Sequence, residues 1–228
     1  MKKIFVVLLL AIMALSLAAC SGNEAGTQED QTGDTGATTA DADSSTQKGD
    51  NEMNSSKILV TYFSRTGENY GVGVIKKGNT HIIADMIAEE MDADTFEIER
   101  VTPYPEDYDE CTEEAQAEQS ANARPELTNT VKDFDDYDVI FIGYPNWWGD
   151  MPMPVYTFLE SYDFSGKTVI PFCTHAGSGL SGTVGTIQSK LSDATVLKGL
   201  AVTGTTAQNN RSEAKEAVLS WLDGLDIK

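Results

Sequence analysis

Val139-Ile140-Phe141-Ile142-Gly143-Tyr144-Pro145-Asn146-Trp147-Trp148-Gly149 runs from four β-branched or aromatic residues, through a glycine, into a loop of amide and aromatic side chains. An apolar run this short, without polar alternation, predicts a strand buried on both faces, as parallel sheets require. The same spelling recurs outward along the chain. Residues 58–63 and 168–173 read as further buried strands, and 195–202 contain another. Thr95-Phe96-Glu97-Ile98-Glu99 alternates, which predicts a strand nearer the sheet edge. Pro171 marks a position in its strand with no amide to donate.

Helical patterns fill the intervals. Ile82, Ile83, Met86, Ile87 and Met91 share one face of a helix over 80–91. An acidic helix over 106–121 follows Pro103 and Pro105. Val155, Phe158, Leu159 and Tyr162 repeat helically behind Pro154, and Ile187 with Leu191 suggests another helix. Asn210 and Glu213 cap a last one bearing Ala214, Ala217, Val218, Trp221 and Leu222. Five strands alternating with five helices predict an α/β domain with a parallel sheet. In such open sheets ligands gather beyond the carboxyl ends of the strands, where the strand order reverses. Three strand ends are rich in Gly, Ser, Thr, Asn or Trp, namely those beginning at Ser64, Tyr144 and Thr174.

These loops carry a resemblance to the flavodoxin family. The residues concerned are Tyr62-Phe63-Ser64-Arg65-Thr66-Gly67, then residues 143–154, then Pro171-Phe172-Cys173-Thr174-His175-Ala176-Gly177-Ser178-Gly179. The likeness covers residues 57–228. It implies a three-layer flavodoxin-like fold, with a five-stranded parallel sheet in the order 2-1-3-4-5, and FMN as cofactor. The first loop then resembles the FMN phosphate site, with Ser64, Arg65, Thr66, Asn69, Asn79 and Thr80 as cofactor-binding residues. A hydroxyl-rich turn feeding a helix start aims many donors at a dianion, and the resemblance implies that Arg65 need not neutralise it, since the family typically manages without a cation there. The second loop, Pro145, Asn146, Trp147, Trp148 and Gly149, resembles the one that packs an aromatic ring against the flavin. Either Trp147 or Trp148 stacks, and Gly149 is the hinge. The third, Thr174, His175, Gly177, Ser178 and Gly179, resembles the one that closes over the other edge of the ring. Glycine permits close backbone approach there, and His175 serves as a wall or hydrogen-bond donor rather than a catalyst.

Two other readings fail on pattern. Residues 73–80 resemble a nucleotide-binding P-loop, but Asn79 stands where its Lys is required, and the stretch begins ten residues past Phe63. A serine hydrolase would need G-x-S-x-G, which the surroundings of Ser178 lack. The phosphate loop is instead divided by an insertion over 68–78, because family members more often run directly from that Gly to the Asn-Thr pair. The insertion brings Asn69, Tyr70, Lys76 and Lys77 to the rim.

The amino-terminal region reads differently. Met1-Lys2-Lys3 precedes a short apolar run ending Leu17-Ala18-Ala19-Cys20, which resembles a lipoprotein signal and lipobox. That implies a signal peptide over 1–19 and lipidation at Cys20, anchoring the protein to the extracytoplasmic face of a bacterial cell membrane. Residues 21–56 lack Phe, Trp, Tyr, Leu, Ile and Val, so a disordered acidic linker is expected over 20–56. The domain over 57–228 carries 13 basic and 28 acidic residues, which argues against nucleic acid as a partner. Cys111 and Cys173 have no metal-binding spacing, and two unpaired thiols are expected. The function expected is electron transfer as a redox carrier, its partner being a redox protein or small-molecule acceptor. An NAD(P)H- or quinone-linked FMN oxidoreductase and a flavin-free binding module on the same fold stand as alternatives.

Overall fold

The structure, a computed structural model, describes residues 56–227. The expected signal peptide, Cys20 and all of the linker but Ser56 lie outside the described residues. In chain order the elements are β1 (Ile58–Tyr62), β2 (Gly67–Asn69), β3 (Gly73–Ile75), α1 (Asn79–Met91), β4 (Asp94–Glu97) and α2 (Tyr108–Ala121). Then come β5 (Val139–Pro145), α3 (Met153–Ser161), β6 (Thr168–His175), α4 (Thr183–Lys190), β7 (Thr195–Val196), β8 (Leu200–Thr203), α5 (Gly204–Asn209) and α6 (Arg211–Leu222).

The main sheet is parallel throughout, in the order β4-β1-β5-β6, with both β7 and β8 paired to β6. Counting β7 and β8 as one strand, this is the expected 2-1-3-4-5. The fifth strand, however, is two pieces and not one run over 195–202. β7 pairs with Thr168 and Val169, whereas β8 pairs with residues 172–175. The gap faces Pro171, which has no N–H for the ladder. Opposite it, a Cβ on Gly199 would sit 3.0 Å from the Pro171 carbonyl oxygen. The β2–β3 hairpin and the short α5 are also additions to the expected elements.

Both faces of the sheet are covered. Ile82, Ile83 and Ile87 of α1 and Ala214, Val218 and Trp221 of α6 pack on Val60, Phe141 and Ile170. Val155, Phe158 and Leu159 of α3 and Ile187 of α4 pack on Leu59, Ile140, Ile142 and Val169. Each fully buried aliphatic or aromatic side chain contributes about 1.5–3 kcal/mol. Central strands sandwiched in this way have no polar alternation, which is why Ile140, Phe141 and Ile142 are all buried in sequence. Tyr62, Gly143 and Phe172 stand side by side in register, so β1, β5 and β6 deliver their loops to one end of the molecule.

The edge strand carries a strained charge. The half-buried Glu97 carboxyl is pushed up to about 7, first by burial and then by Glu99, despite a hydrogen bond from the Tyr62 hydroxyl. His81 Nδ1 lies 3.8 Å from it, and burial and Lys77 hold that imidazole below its usual value. Asp85, on the same helix as His81, also raises Glu97, while Lys77 opposes the shift. Because the folded chain holds the Glu97 proton more tightly than the unfolded chain, the linked stability is present below about 4.5 and lost as pH rises through about 7. Glu97→Gln should therefore gain urea stability over the native chain between about pH 5 and pH 8, and a gap that stays constant with pH would contradict this assignment.

Candidate cofactor site at the carboxyl ends of the strands

A cleft of about 560 Å³ opens where the chain leaves β1, β5, β6 and β8. That volume is in the range of small-molecule and cofactor sites. Among the described residues, no Asp or Glu lines it.

The first loop starts at Phe63, whose N–H donates to the Gly143 carbonyl at 2.9 Å. Ser64 Oγ then accepts from the His81 N–H at 3.1 Å, so a residue outside α1 caps its first turn. Gly78, at the N-cap position, has no side chain to do so. It cannot have one, because a Cβ there would fall 2.1 Å from Ser64 Oγ. Among the described residues the Asn79 and Thr80 amides have no protein acceptor, at a helix end that carries partial positive charge. Thr80 Oγ1 and Thr174 Oγ1 lie 2.8 Å apart and buried, joining the first loop to the third.

Asn79 lines the cleft, and its Oδ1 is buried without a hydrogen-bond partner. The side chain occupies space that Gly204 leaves open, since a Cβ on Gly204 would approach Asn79 Nδ2 to 2.5 Å. An orphaned buried acceptor of this kind costs roughly 1–3 kcal/mol unless a ligand satisfies it. Thr66 is exposed and, like the expected site residues Ser64, Thr80 and Gly149, is not among the described residues that line the cleft; its carbonyl accepts from Asn69 Nδ2 at 3.3 Å. Arg65 and Asn69 line the wall. The Arg65 guanidinium is engaged by protein, donating to the carbonyls of Glu68, Pro105, Glu106 and Asp107.

In the second loop Trp147 and Asp150 exchange both backbone hydrogen bonds, at 2.9 and 3.0 Å, around a two-residue turn. Trp148 and Gly149 at its centre have φ of 50° and 81°. Positive φ at both central positions is the geometry of a tight hairpin turn. It suits Gly149 and strains Trp148. Asn146 braces the turn: its Oδ1 accepts from the Gly149 N–H at 3.0 Å, and its Nδ2 donates to the Gly179 carbonyl at 2.7 Å. Pro145, Asn146, Trp147 and Trp148 line the cleft. The two indoles differ in setting. Trp147 packs edge-on to Phe63 and Tyr104, at 5.6 and 5.3 Å between ring centroids. Trp148 stays 49% exposed.

The third loop contributes Thr174, His175, Ala176 and Gly177 to the wall, while Ser178 and Gly179 are not among the described residues that line it. His175 Nδ1 accepts from the Gly177 N–H at 2.9 Å, which leaves the ring proton on Nε2. Burial holds this imidazole below its usual value, so it is a neutral donor near pH 7. Cys173 is buried just before the loop, donating its thiol to the Gly179 carbonyl at 3.3 Å, and burial pushes it up to about 12. Both Cys111 and Cys173 are free thiols.

Two parts of the lining were absent from the sequence expectations. Thr203, Gly204 and Thr205 form a fourth hydroxyl-rich strand end, after β8. The criterion that selected the other three loops would have found it had the strand been followed to its end at Thr203. Tyr108, Cys111, Thr112 and Ala115 supply the α2 side. Only Cys111 and Ala115 of that helix are buried, too sparse a stripe to announce a cleft-facing surface.

Comparison with known proteins places this geometry. No curated protein sequence matches the chain. A candidate flavoprotein of Bacteroides uniformis is 31% identical over 74% of this chain and 98% of its own, with a TM-score of 0.59. One from Bacteroides eggerthii is 28% identical, covering 76% of this chain and 100% of its own, with a TM-score of 0.62. A flavoprotein of Lactobacillus acidophilus, solved in complex with FMN, is similar in fold at 24% identity, over 69% of this chain and 99% of its own, with a TM-score of 0.53. The model of the flavodoxin family matches residues 57–223, the folded region nearly entire, and the chain belongs to that family.

Proposed function

We propose that the cleft binds FMN and that the protein carries electrons between partners while tethered by a lipid on Cys20 to the extracytoplasmic face of a bacterial membrane. The observation that carries the cofactor is Asn79. Its Oδ1 is buried without a partner in a residue that lines the cleft, at a helix start with open amides and against Gly204, where a Cβ would meet the Asn79 amide. The solved relative with bound FMN supports the same choice. FMN, when bound, supplies the electron-accepting ring; the protein supplies binding, orientation and electronic tuning.

The division of labour follows from the loops. Thr66 and the amides of Asn79 and Thr80 hold the phosphate by neutral donors at a helix start. The Asn79 Oδ1 accepts from a hydroxyl of the cofactor. Trp148 provides the ring that stacks, because Trp147 is already packed against Phe63 and Tyr104. His175 donates from Nε2 towards the cleft, its tautomer held by the Gly177 amide. The acidic surface suits a redox protein or an uncharged acceptor better than a polyanion.

Protein purified without added cofactor should absorb at flavin wavelengths or take up FMN stoichiometrically; a colourless chain that binds none would remove the proposal. Thr66→Ala should weaken FMN binding by about 1–3 kcal/mol in a fluorescence titration while sparing riboflavin, and equal affinity for FMN in the variant would misplace the phosphate. Trp147→Ala should lower folding stability by about 2–4 kcal/mol. Trp148→Ala should leave stability nearly unchanged and shift the flavin absorbance; the reverse pattern would exchange their roles.

A further inference from the structure

Aromatic rings run in series away from the cleft wall. Trp148 lines the cleft and is 49% exposed. Its ring centroid lies 6.5 Å from that of Trp147, which in turn lies 5.3 Å from that of Tyr104. Beyond Tyr104 the series ends on charge. The Tyr104 hydroxyl donates to Glu118 Oε2, on α2. The other oxygen of that carboxylate accepts from Arg100 Nη1 at 2.5 Å, and Arg100 also pairs with Glu114. The same guanidinium lies over the Tyr104 ring, 3.8 Å from its centroid. The Arg100 and Glu118 side chains are largely buried.

Holding an indole in place does not require this arrangement, since Phe63 packs edge-on to Trp147 without any polar group. A phenol in the same position adds a proton and a base to receive it. Losing an electron makes a phenol strongly acidic, so tyrosine is a ready electron donor only where a base takes its proton in the same step. The Glu118 carboxylate, an acceptor already hydrogen-bonded to the hydroxyl, is such a base. Arg100 opposes any positive charge left on the ring that it covers. The electron and the proton must therefore leave together. Until then burial, and next Glu118, keep the proton on the Tyr104 oxygen well above the usual phenol range. Tyr137 and Tyr156 also donate to carboxylates, those of Asp94 and Asp150. Tyr104 differs in that its ring packs on an indole that lines the cleft.

We propose that Trp148, Trp147 and Tyr104 form a relay in which a one-electron oxidant at the cleft mouth draws an electron from Tyr104 through the two indoles, while the Tyr104 proton passes to Glu118. Trp148 gives one electron to the oxidant and regains one from Trp147, which regains one from Tyr104. The O–H bond of Tyr104 breaks and an O–H bond forms on the Glu118 carboxylate. The products are a neutral phenoxyl radical, a neutral carboxyl group and the oxidant reduced by one electron. The indole at the cleft wall is thereby restored, and the radical rests behind it on a half-buried ring. The relay requires no bound cofactor and stands apart from the FMN reading.

The probe is the azidyl radical, made by pulse radiolysis, which near neutral pH oxidises indoles in preference to phenols. It is applied to the full chain as purified, and absorbance follows the indolyl and phenoxyl radicals. In the native chain the indolyl signal should decay into the phenoxyl signal at a rate independent of protein concentration. Tyr104→Phe and Trp147→Phe should each abolish that conversion and prolong the indolyl signal. Glu118→Gln should slow it by about 100-fold or more, because the positioned proton acceptor is gone. Heavy water should slow it in the native chain. A conversion undiminished in Tyr104→Phe would hand the electron loss to another phenol, such as Tyr70 or Tyr108, and overturn the relay. A rate that rises with protein concentration would mean transfer between molecules and overturn it equally. Unchanged rates in both Glu118→Gln and heavy water would remove Glu118 as the proton acceptor. Should Glu118→Gln lose its far-ultraviolet circular dichroism, Tyr104→Phe, which removes a single hydroxyl, and the heavy-water rate decide. A chain that binds FMN but shows no conversion loses the relay alone, and one that converts but binds no flavin loses the FMN reading alone.

Discussion

The buried contact between the Thr80 and Thr174 hydroxyls, 2.8 Å apart, is the point on which the cleft depends. It ties the first turn of α1 to the end of β6, a strand that β5 separates from β1 in the sheet. Two hydroxyls buried at this depth must satisfy each other, since neither reaches water. Their approach is permitted by the strand between them. A Cβ on Gly143 of β5 would fall 2.2 Å from the Phe172 ring, so the glycine lets β6 settle against β5. From this arrangement the remaining bonds follow: Phe63 N–H to Gly143 O, and Asn146 N–H to Thr174 O at 2.8 Å. Three loops from three strands thereby become one wall.

An acidic domain that takes a dianionic ligand faces an electrostatic conflict. With 13 basic against 28 acidic residues over 57–228, the long-range field opposes the approach of phosphate. The local arrangement answers this without a dedicated cation. Among the described residues the cleft lining contains no carboxylate, and the Arg65 that lines it is committed to backbone carbonyls. What remains for an anion is a set of short-range neutral donors at a helix start, whose strength falls off within a turn. Such a site discriminates by geometry more than by charge, and in an acidic domain that discrimination matters. Any basic patch near the mouth would be neutralised by the protein's own acids, as Lys77 is by Asp85 and Arg100 is by Glu114 and Glu118.

Much of this was legible in the residues, and the failures share a cause. The strands β1, β5 and β6 are continuous apolar runs because both their faces are covered, so their ends, and hence three loops, stood out. The hairpin did not, because its strands are the triplets Gly67–Asn69 and Gly73–Ile75, too short for any periodicity. The division between β7 and β8 depends on Pro171 in a neighbouring strand, a tertiary effect that no local pattern contains. The same division hides the Thr203–Thr205 lining, since the apolar pattern of the strand ends at Val202. Distinguishing Trp147 from Trp148 also required the turn: side chains of adjacent residues diverge, but only Phe63 and Tyr104 decide which indole the protein keeps.

The turn at Trp148 shows how that choice is enforced. An aromatic residue at φ 50° is disfavoured by about 1–3 kcal/mol and persists only where its surroundings determine the backbone. Here they do so from both sides. Trp147 is anchored by its ring, and the Asn146 amide holds the Gly149 N–H on one side and the Gly179 carbonyl on the other. Relaxing Trp148 to an ordinary conformation would break the paired bonds between Trp147 and Asp150 and free Asn146 from the third loop. The strain therefore fixes the backbone from which the Trp148 indole extends to the cleft wall, rather than being an accident of a loop.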